Sequence, residues 1–283
     1  RAMVCMKHVG LNVAADPFMS AAHFEMKGGM LLVVSDDPGP HSSQTEQDSR
    51  YFAMFAKVPC FDPSTAVEAK EMVFDAYELS EKHHIIAMLR PGVRVDHCRQ
   101  DVELKDVIQL DNKMKFEKDP MRWVCLPARV RVNHPRLNQK LEDIREDFET
   151  LYNRYNYEIP AKSKARLGII ASGVSFSVVS DLLKTWDRDD ISVLKIGTPH
   201  PLPIKMVEDF IDRHDNVLVL EETYPVVEMQ LADRTKVKGR WNGFVPRAGE
   251  LLPEVIEQVV LSALGEKEEK GADEDLKRSL EDL

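Results

Sequence analysis

Short apolar runs alternate with longer mixed segments along the first ninety residues of the chain. Four of these runs have the length and composition of buried strands. They are AMVCMK at 2–7, MLLVV at 30–34, VPCF at 58–61 and IIAML at 85–89. Helical spacing between them is clearest after residue 64, where Thr65 and Glu68 fit a capping box. Strands that alternate with helices predict a parallel sheet covered by helices on both faces.

The same alternation returns after residue 164. Strands are predicted at LGIIA, SVLKI and VLVLEE, and helices near 175–186, near 203–214 and over 253–264. The chain is therefore predicted to be α/β, with one parallel-sheet domain at 1–128 and a second at 164–265. Residues 266–283 are highly charged and poor in apolar side chains, which predicts a charged tail.

A narrow apolar stripe separates the two predicted domains. Its members recur every three or four residues, which is the spacing of one face of a helix of about five turns. They are Leu137, Leu141, Ile144, Phe148, Leu151 and Tyr155. We interpret 129–163 as a helical linker, whose stripe docks either on one of the domains or on a partner chain.

Composition and charge exclude some classes of function. The formal net charge of −10 argues against a nucleic-acid partner, because binding nucleic acid requires a basic surface. No apolar run approaches the ~20 residues that span a bilayer, so no membrane association is predicted. The four cysteines are widely spaced without a CxxC pair, which predicts no metal site and favours a reducing, cytoplasmic location.

The polar segment DDPGPHSSQTEQDSR, residues 36–50, directly follows the second predicted strand. Ligands of open parallel sheets bind beyond the carboxyl ends of the strands, where this segment is expected. His41 could move protons, and Arg50 could hold a carboxylate through two parallel hydrogen bonds. A polar turn with a helix cap and a surface arginine explains the same composition and, from the residues alone, is the preferred alternative.

Weaker candidates follow other predicted strands. In MKHVGLNVAADP, Gly10 would let a ligand approach the backbone closely, although an ordinary strand-to-helix turn is the simpler interpretation. The lone glycine of IASGVSFS is weak evidence for phosphate binding, because the GxGxxG fingerprint is absent. The acidic side chains of EETYPVVE, namely Glu221, Glu222 and Glu228, could serve an interface or a catalytic role, but solvated carboxylates are the default interpretation.

Together these segments resemble the large subunit of indolepyruvate ferredoxin oxidoreductase. The motifs that carry the resemblance are MKHVGLNVAADP, KGGMLLVVSDDPGPHSSQTEQDSRYFAMFAKVP, GVSFSVVSDLL, LKIGTPHPLP, VLVLEETYPVVEMQL and VPRAGELLP. The resemblance implies that the first domain is of the thiamine-enzyme pyrimidine-binding type and incomplete at its N-terminus. It implies that the second is a transketolase C-terminal-like domain.

The activity that the family implies is the oxidative decarboxylation of indolepyruvate or another aryl 2-oxoacid to the acyl-coenzyme A, with reduction of ferredoxin. The implied cofactors are thiamine diphosphate with Mg²⁺, whose site would be completed by segments missing here, and [4Fe-4S] clusters of the intact subunit, none of which is ligated by this chain. A small partner subunit and a homo-oligomer of large subunits are also implied. The family's aminopyrimidine glutamate, diphosphate-binding domain and cluster cysteines are absent from this sequence, so the chain alone is expected to be inactive.

The resemblance also assigns roles to six residues in the two polar segments. One is catalytic, two bind substrate and three face the cofactor. They are His41 as the catalytic residue, Arg50 and Gln44 for the substrate, and His8, Gly10 and Asn12 for the cofactor.

Two alternatives to this function stay open. The chain could be a non-catalytic assembly module of such a complex, joined to other subunits through the 137–155 helix and the second domain. It could also belong to an oxidoreductase for another 2-oxoacid, such as pyruvate.

Overall fold

The computed structural model describes residues 1–107, 109, 115–116 and 118–266, which form two units, each built on its own sheet. Four strands make the sheet of the first unit. They are β1 (Ala2–Lys7), β2 (Met30–Ser35), β3 (Cys60–Phe61) and β4 (Ala87–Leu89). The strands pair in the order β1-β2-β4-β3, and every pair is parallel, as the sequence predicted.

Seven helices accompany this sheet in the described residues. They are α1 (His8–Val13), α2 (Ala15–Ala21), α3 (Arg50–Ala56), α4 (Ala66–His83), α5 (Val93–His97), α6 (Pro120–Trp123) and α7 (Pro127–Thr150). The predicted cap of α4 is confirmed, because the Thr65 side chain accepts the Glu68 N–H at 3.1 Å. The Glu68 carboxylate reaches back to the Ser64 N–H at 2.7 Å, which closes the first turn.

The sheet of the second unit has five strands. They are β5 (Asn156–Ile159), β6 (Leu167–Ser172), β7 (Ile191–Ile196), β8 (Val217–Leu220) and β9 (Val237–Lys238). Their order is β5-β7-β6-β8-β9, and only the edge strand β5 runs antiparallel to its neighbour. β6, β7 and β8 are buried along their whole length, as expected for parallel strands covered on both faces.

Four helices belong to the second unit in the described residues. They are α8 (Gly173–Thr185), α9 (Ile204–Asp212), α10 (Val226–Met229) and α11 (Pro253–Leu264). Pro253 at the start of α11 and Gly265 after its end give the helix the bounds that the sequence predicts. None of the helices in the described part of the chain is both long and apolar enough to cross a membrane.

The predicted apolar stripe packs on the core of the first unit. Leu137, Ile144 and Phe148 of α7 are buried there, together with Tyr155 from the short 3₁₀ helix that follows. The Phe148 and Tyr155 rings both contact Phe61 edge to face. Leu151 departs from the predicted stripe, because α7 ends at Thr150 and Leu151 is 59% exposed. The buried members of the stripe dock within the chain, which is one of the two possibilities that the sequence left open.

Backbone hydrogen bonds join the two units directly. The Cys60 N–H donates to the His200 carbonyl at 2.7 Å, and the Asp62 N–H donates to the Gly197 carbonyl at 2.8 Å. These bonds place the end of β3 against the loop that follows β7. The carboxyl ends of strands from both sheets therefore meet at the junction of the units.

Candidate functional site

The polar segment after β2 lies beyond the carboxyl end of the first sheet, as the sequence predicted. It runs without helix or strand over residues 37–49, and α3 begins only at Arg50. The segment QTEQDSRYFAMFA, with an apolar patch at Tyr51, Phe52 and Phe55, would by itself predict a helix from about residue 44. Side chains between 46 and 49 bind partners outside a local helix, which explains the later start.

Asp37 organises the first part of this loop. Its carboxylate accepts the N–H groups of His41 and Ser42 at 3.2 and 3.1 Å, and the Ser43 hydroxyl at 2.7 Å. Burial works against ionisation, but these hydrogen bonds prevail and lower the pKa of Asp37 to about 2. Asp37 is therefore an ionised cap of the loop at neutral pH.

Asp36 anchors the start of the loop to two other elements. It accepts the Ser49 N–H at 2.9 Å and the Ser49 hydroxyl at 2.5 Å, and Arg90 Nε donates to it at 2.7 Å. Arg90 also donates to Asp62 at 3.3 Å. Burial raises the pKa of Asp36. The two ends of the loop are thus tied together at a fully buried carboxylate.

Arg50 is buried and its donors are already engaged. Nε and Nη2 donate to Asp48 at 2.9 and 2.6 Å, and Nη1 donates to Glu221 at 2.9 Å. Nη2 also reaches the Tyr224 carbonyl at 2.9 Å. To grip a substrate carboxylate, the guanidinium would have to release one of these partners. That role stays a prediction, and the contacts seen here tie the first unit to the second.

Asp48 receives donors from both units. The N–H groups of Thr223 and Tyr224 donate to it at 2.8 and 2.9 Å, in addition to the bonds from Arg50. Although burial opposes ionisation, the Arg50 guanidinium holds the pKa of Asp48 well below its usual range. Asp48 is therefore a charged tie between the loop and the segment after β8.

We call the fully buried charges at this junction the buried ion network. Its members are Asp36, Asp48, Arg50, Asp62, Arg90 and Glu221. Four carboxylates face two guanidiniums, so negative charge is in excess. Burial raises the pKa of Glu221 as it does that of Asp36, which makes ionisation of these two carboxylates less favourable.

We call the part of the loop around His41 and Gln44 its crest, and the part around Asp36, Asp48 and Arg50 its base. The crest is exposed, in contrast to the base. The His41 side chain is 58% exposed, and its Nε2 lies 3.1 Å from Glu250 Oε2 of the second unit. Gln44 is exposed as well. Glu250 is itself held by Arg94, whose Nε donates to Oε1 at 2.9 Å. Both crest residues that the sequence singled out are therefore accessible to a ligand.

The structure brings one of the three predicted cofactor residues to the loop. His8 begins α1, is buried, and its Nε2 lies 3.1 Å from the Thr45 carbonyl. Its other ring nitrogen, Nδ1, is buried and has no hydrogen-bond partner in the described residues. Gly10 packs against Met6, and Asn12 lies exposed on α1. No hydrogen bond in the described part of the chain joins these two to the loop.

The glutamates after β8 are buried, so the expectation that they are solvated is wrong. Glu222 accepts the Leu251 N–H, and burial raises its pKa. Glu228 accepts the N–H groups of Arg240 and Trp241, and burial raises its pKa to about 7. The signal available in the sequence was their place at the end of a fully apolar strand, where side chains of an α/β sheet converge.

A separate cavity of about 1020 Å³ opens between the units, away from the loop. Thr65 and Glu68 line it from the first unit, and Tyr157, Phe176 and Lys195 from the second. Lys195 pairs with Glu68 and lies over both aromatic rings. This ion pair is a further polar contact between the units, and it does not involve the loop.

The donor groups present fit an organic cofactor better than a metal. The unpartnered His8 Nδ1 beside the loop suits a polar ligand group. Within the described residues, no three His, Cys, Asp or Glu side chains converge as a metal site, and the four cysteines are free.

Sequence comparison confirms the resemblance to indolepyruvate oxidoreductases. Subunit IorA of Thermococcus kodakarensis is 41% identical over 275 residues, and that of Pyrococcus horikoshii is 39% identical over 275 residues. Each alignment covers 94% of this chain but 42% of the relative. IorA of Archaeoglobus fulgidus is 37% identical with the same coverage. The chain thus spans less than half of the curated relatives it matches. No protein-family model matches it.

Solved structures share the fold. A 2-oxoglutarate:ferredoxin oxidoreductase from Magnetococcus marinus superposes with a TM-score of 0.63 at 13% identity, over 93% of this chain and 53% of that one. A split-gene transketolase superposes with a TM-score of 0.53 at 14% identity, over 94% and 76% of the two chains. Both likenesses agree with the predicted α/β fold of two parallel-sheet units.

Proposed function

We propose that this chain is part of a 2-oxoacid:ferredoxin oxidoreductase that converts indolepyruvate or other aryl 2-oxoacids to the acyl-coenzyme A. The observation that carries the proposal is the identity of 41% to an indolepyruvate oxidoreductase subunit over 94% of the chain. The position of the polar loop beyond the carboxyl ends of a parallel sheet supports it.

Thiamine diphosphate with Mg²⁺ would supply the carbanion chemistry, and [4Fe-4S] clusters held elsewhere in the intact subunit would accept electrons. On this chain, His8 would offer its free Nδ1 to the cofactor, with Gly10 and Asn12 on the same helix. His41 would move a proton at the exposed crest, and Gln44 would contact the substrate.

We place Arg50 behind the crest rather than at its surface. Its bonds to Asp48 and Glu221 fix the base of the loop, so it would act on the substrate through the loop unless an ion pair opens. A planar guanidinium can exchange one carboxylate for another. Arg50 would touch the substrate only after such an exchange, and would otherwise act through the loop.

The same proposal includes the partners and the setting. These are a small subunit of the same oxidoreductase, ferredoxin, coenzyme A and a second copy of the large subunit, in the cytoplasm. We also propose a domain division at residues 128 and 164, with 129–163 as the connecting segment. In the structure this segment contains most of α7, packed on the first unit, and β5, paired in the second sheet.

The assembly-module alternative relied on the 137–155 helix and on the second domain, and the apolar face of the helix is not available to it. Leu137, Ile144 and Phe148 are buried in the core of the first unit and cannot present a seam to another subunit. The other alternative, an oxidoreductase for a different 2-oxoacid, differs from the proposal only in its substrate. The substrate comparison below therefore distinguishes the two.

The test is a substrate comparison in the complete enzyme. The full-length large subunit that contains this chain is produced with its small subunit, and coenzyme A-dependent reduction of ferredoxin is measured with indolepyruvate, phenylpyruvate, pyruvate and 2-oxoglutarate. We expect kcat/KM for the aryl acids to exceed that for pyruvate at least about tenfold. A preference for pyruvate would support the other-oxoacid alternative, and no turnover with any of the four would overturn the proposal.

A further inference from the structure

We infer that the second unit positions the exposed crest of the loop, through a clasp at Glu46 and through Glu250, which holds His41. The inference rests on the proposed function only for the identity of the ligand at the crest. The contacts themselves join residues 38–47 of the first unit to residues 224–250 of the second.

Glu46 is the clasp because one of its oxygens binds both units. Oε1 accepts the Gly39 N–H at 3.1 Å and the Gly249 N–H at 2.9 Å. Gly39 has a φ of +58°, and a Cβ at this position would lie 3.1 Å from the Glu250 nitrogen. Both the left-handed backbone and the close approach therefore favour glycine where the loop touches the second unit.

Glu250 fixes the direction of the His41 ring. Its Oε2 lies 3.1 Å from His41 Nε2, and its Oε1 accepts from Arg94 Nε at 2.9 Å. The Glu250 side chain is only 13% exposed. A carboxylate that is held by a guanidinium and in turn holds an imidazole is a common way to orient a proton-transfer group.

The first unit also holds the loop, because Lys7 Nζ donates to the Ser42 hydroxyl at 3.1 Å and His8 Nε2 lies 3.1 Å from the Thr45 carbonyl. Asp37 caps residues 41–43 from inside the loop. Beyond that cap, Tyr224 donates its hydroxyl to the Glu46 carbonyl at 2.9 Å, again from the second unit. The contacts from the second unit act at Glu46 and His41, whereas those from the first unit act at Ser42 and Thr45.

Hydrogen–deuterium exchange on the 283-residue chain tests the clasp. Glu46→Ala should accelerate exchange of residues 38–47 and of Gly249 by about tenfold or more, because both glycine amides lose their acceptor. Glu46→Gln keeps one carbonyl oxygen and should restore much of the protection. Glu68→Gln is the matched control, because it weakens a different tie between the units, the ion pair with Lys195, without touching the loop.

Two results would overturn the clasp. One is wild-type exchange of the loop in Glu46→Ala. The other is equal acceleration of the loop in Glu68→Gln, because the loop would then respond to any loosening of the units rather than to its own tie.

Kinetics of the assembled oxidoreductase test the second contact. Glu250→Ala should lower kcat by about tenfold or more with little change in KM, since the His41 ring loses its fixed direction. Glu250→Gln can still accept from Nε2 and should recover part of the rate. An unchanged kcat in Glu250→Ala would overturn the contact with His41. Failure of the wild-type enzyme to turn over would count against the proposed function and leave the exchange result standing.

Discussion

The base and the crest of the loop after β2 are held in opposite ways. At the base, Asp36, Asp48 and Arg50 are buried, and their hydrogen-bonding groups are bound by other parts of the chain. At the crest, His41 and Gln44 are exposed, and neither is a member of the buried ion network. One continuous polar stretch thus contains a structural half and an accessible half.

The difference follows from the cost of burying charge. A buried ion is tolerated only when its partners satisfy it, so the base uses its hydrogen-bonding capacity within the protein. Exposed groups have water as a partner and can exchange it for a ligand. The comparison teaches that a polar strand-end loop should be divided by burial before any of its residues is given a chemical role.

Removal of the Arg50 guanidinium should have the largest effect on stability. Arg50→Met leaves Asp48 and Glu221 without their cation, and loss of one partner of a buried pair costs about 3–5 kcal/mol in the free energy of unfolding. Urea denaturation measures this value. Arg213→Ala is the control, because its pair with Glu158 is partly exposed and should contribute less than about 1 kcal/mol. Equal effects of the two variants would show that the base is not held by charge.

Glu228 should make stability depend on pH. Its pKa in the folded protein is raised from 4.5 to about 7, so the folded state binds this proton more tightly than the unfolded state does. The free energy of unfolding should therefore fall as pH rises from about 4.5 to about 7, by on the order of 2–3 kcal/mol. Glu228→Gln should remove this fall, and exposed Glu254→Gln should keep it. Parallel profiles for Glu228→Gln and wild type would contradict the assignment.

The regular elements were predictable because apolar runs and helix caps are local signals. β1 lies at the predicted residues, and β6 and β7 each differ from the prediction by one residue at one end. α11 has the predicted bounds, with Pro253 and Gly265 as its signals. The docking site of the α7 stripe could not be predicted, because periodicity identifies an apolar face and not the surface that covers it.

The site was only half predictable, because its ties join distant parts of the sequence. Arg50 and Glu221 are 171 positions apart, and nothing local indicates that they pair. The same limit applies to His8, which meets the loop 37 positions later at Thr45. Composition alone located the loop correctly, but it could not separate the buried arginine from the exposed histidine.

Substitution of Asp37 should have an intermediate effect on stability at neutral pH, and this effect should disappear in acid. The pKa of Asp37 is lowered from 3.8 to about 2, so its contribution to stability is present above pH ~4 and disappears as pH falls towards 2. Asp37→Asn should cost about 1–2 kcal/mol at pH 7 and nothing near pH 2. Unfolding measured at both pH values tests this, and a constant difference between variant and wild type would argue against an ionised cap.

Substitutions at the crest should have the smallest effect on stability and a clear effect on activity. His41→Gln and Gln44→Ala remove exposed side chains, so each should change the free energy of unfolding by less than about 0.5 kcal/mol. In the assembled oxidoreductase, Gln44→Ala should raise KM for the oxoacid by about 3- to 10-fold, the value of one hydrogen bond, while His41→Gln should mainly lower kcat. Thermal unfolding and steady-state kinetics on the same preparations separate the two properties. A crest variant that loses more than about 1 kcal/mol of stability would show that the crest, like the base, stabilises the fold. The distinction between a structural half and an accessible half of the loop would then be wrong.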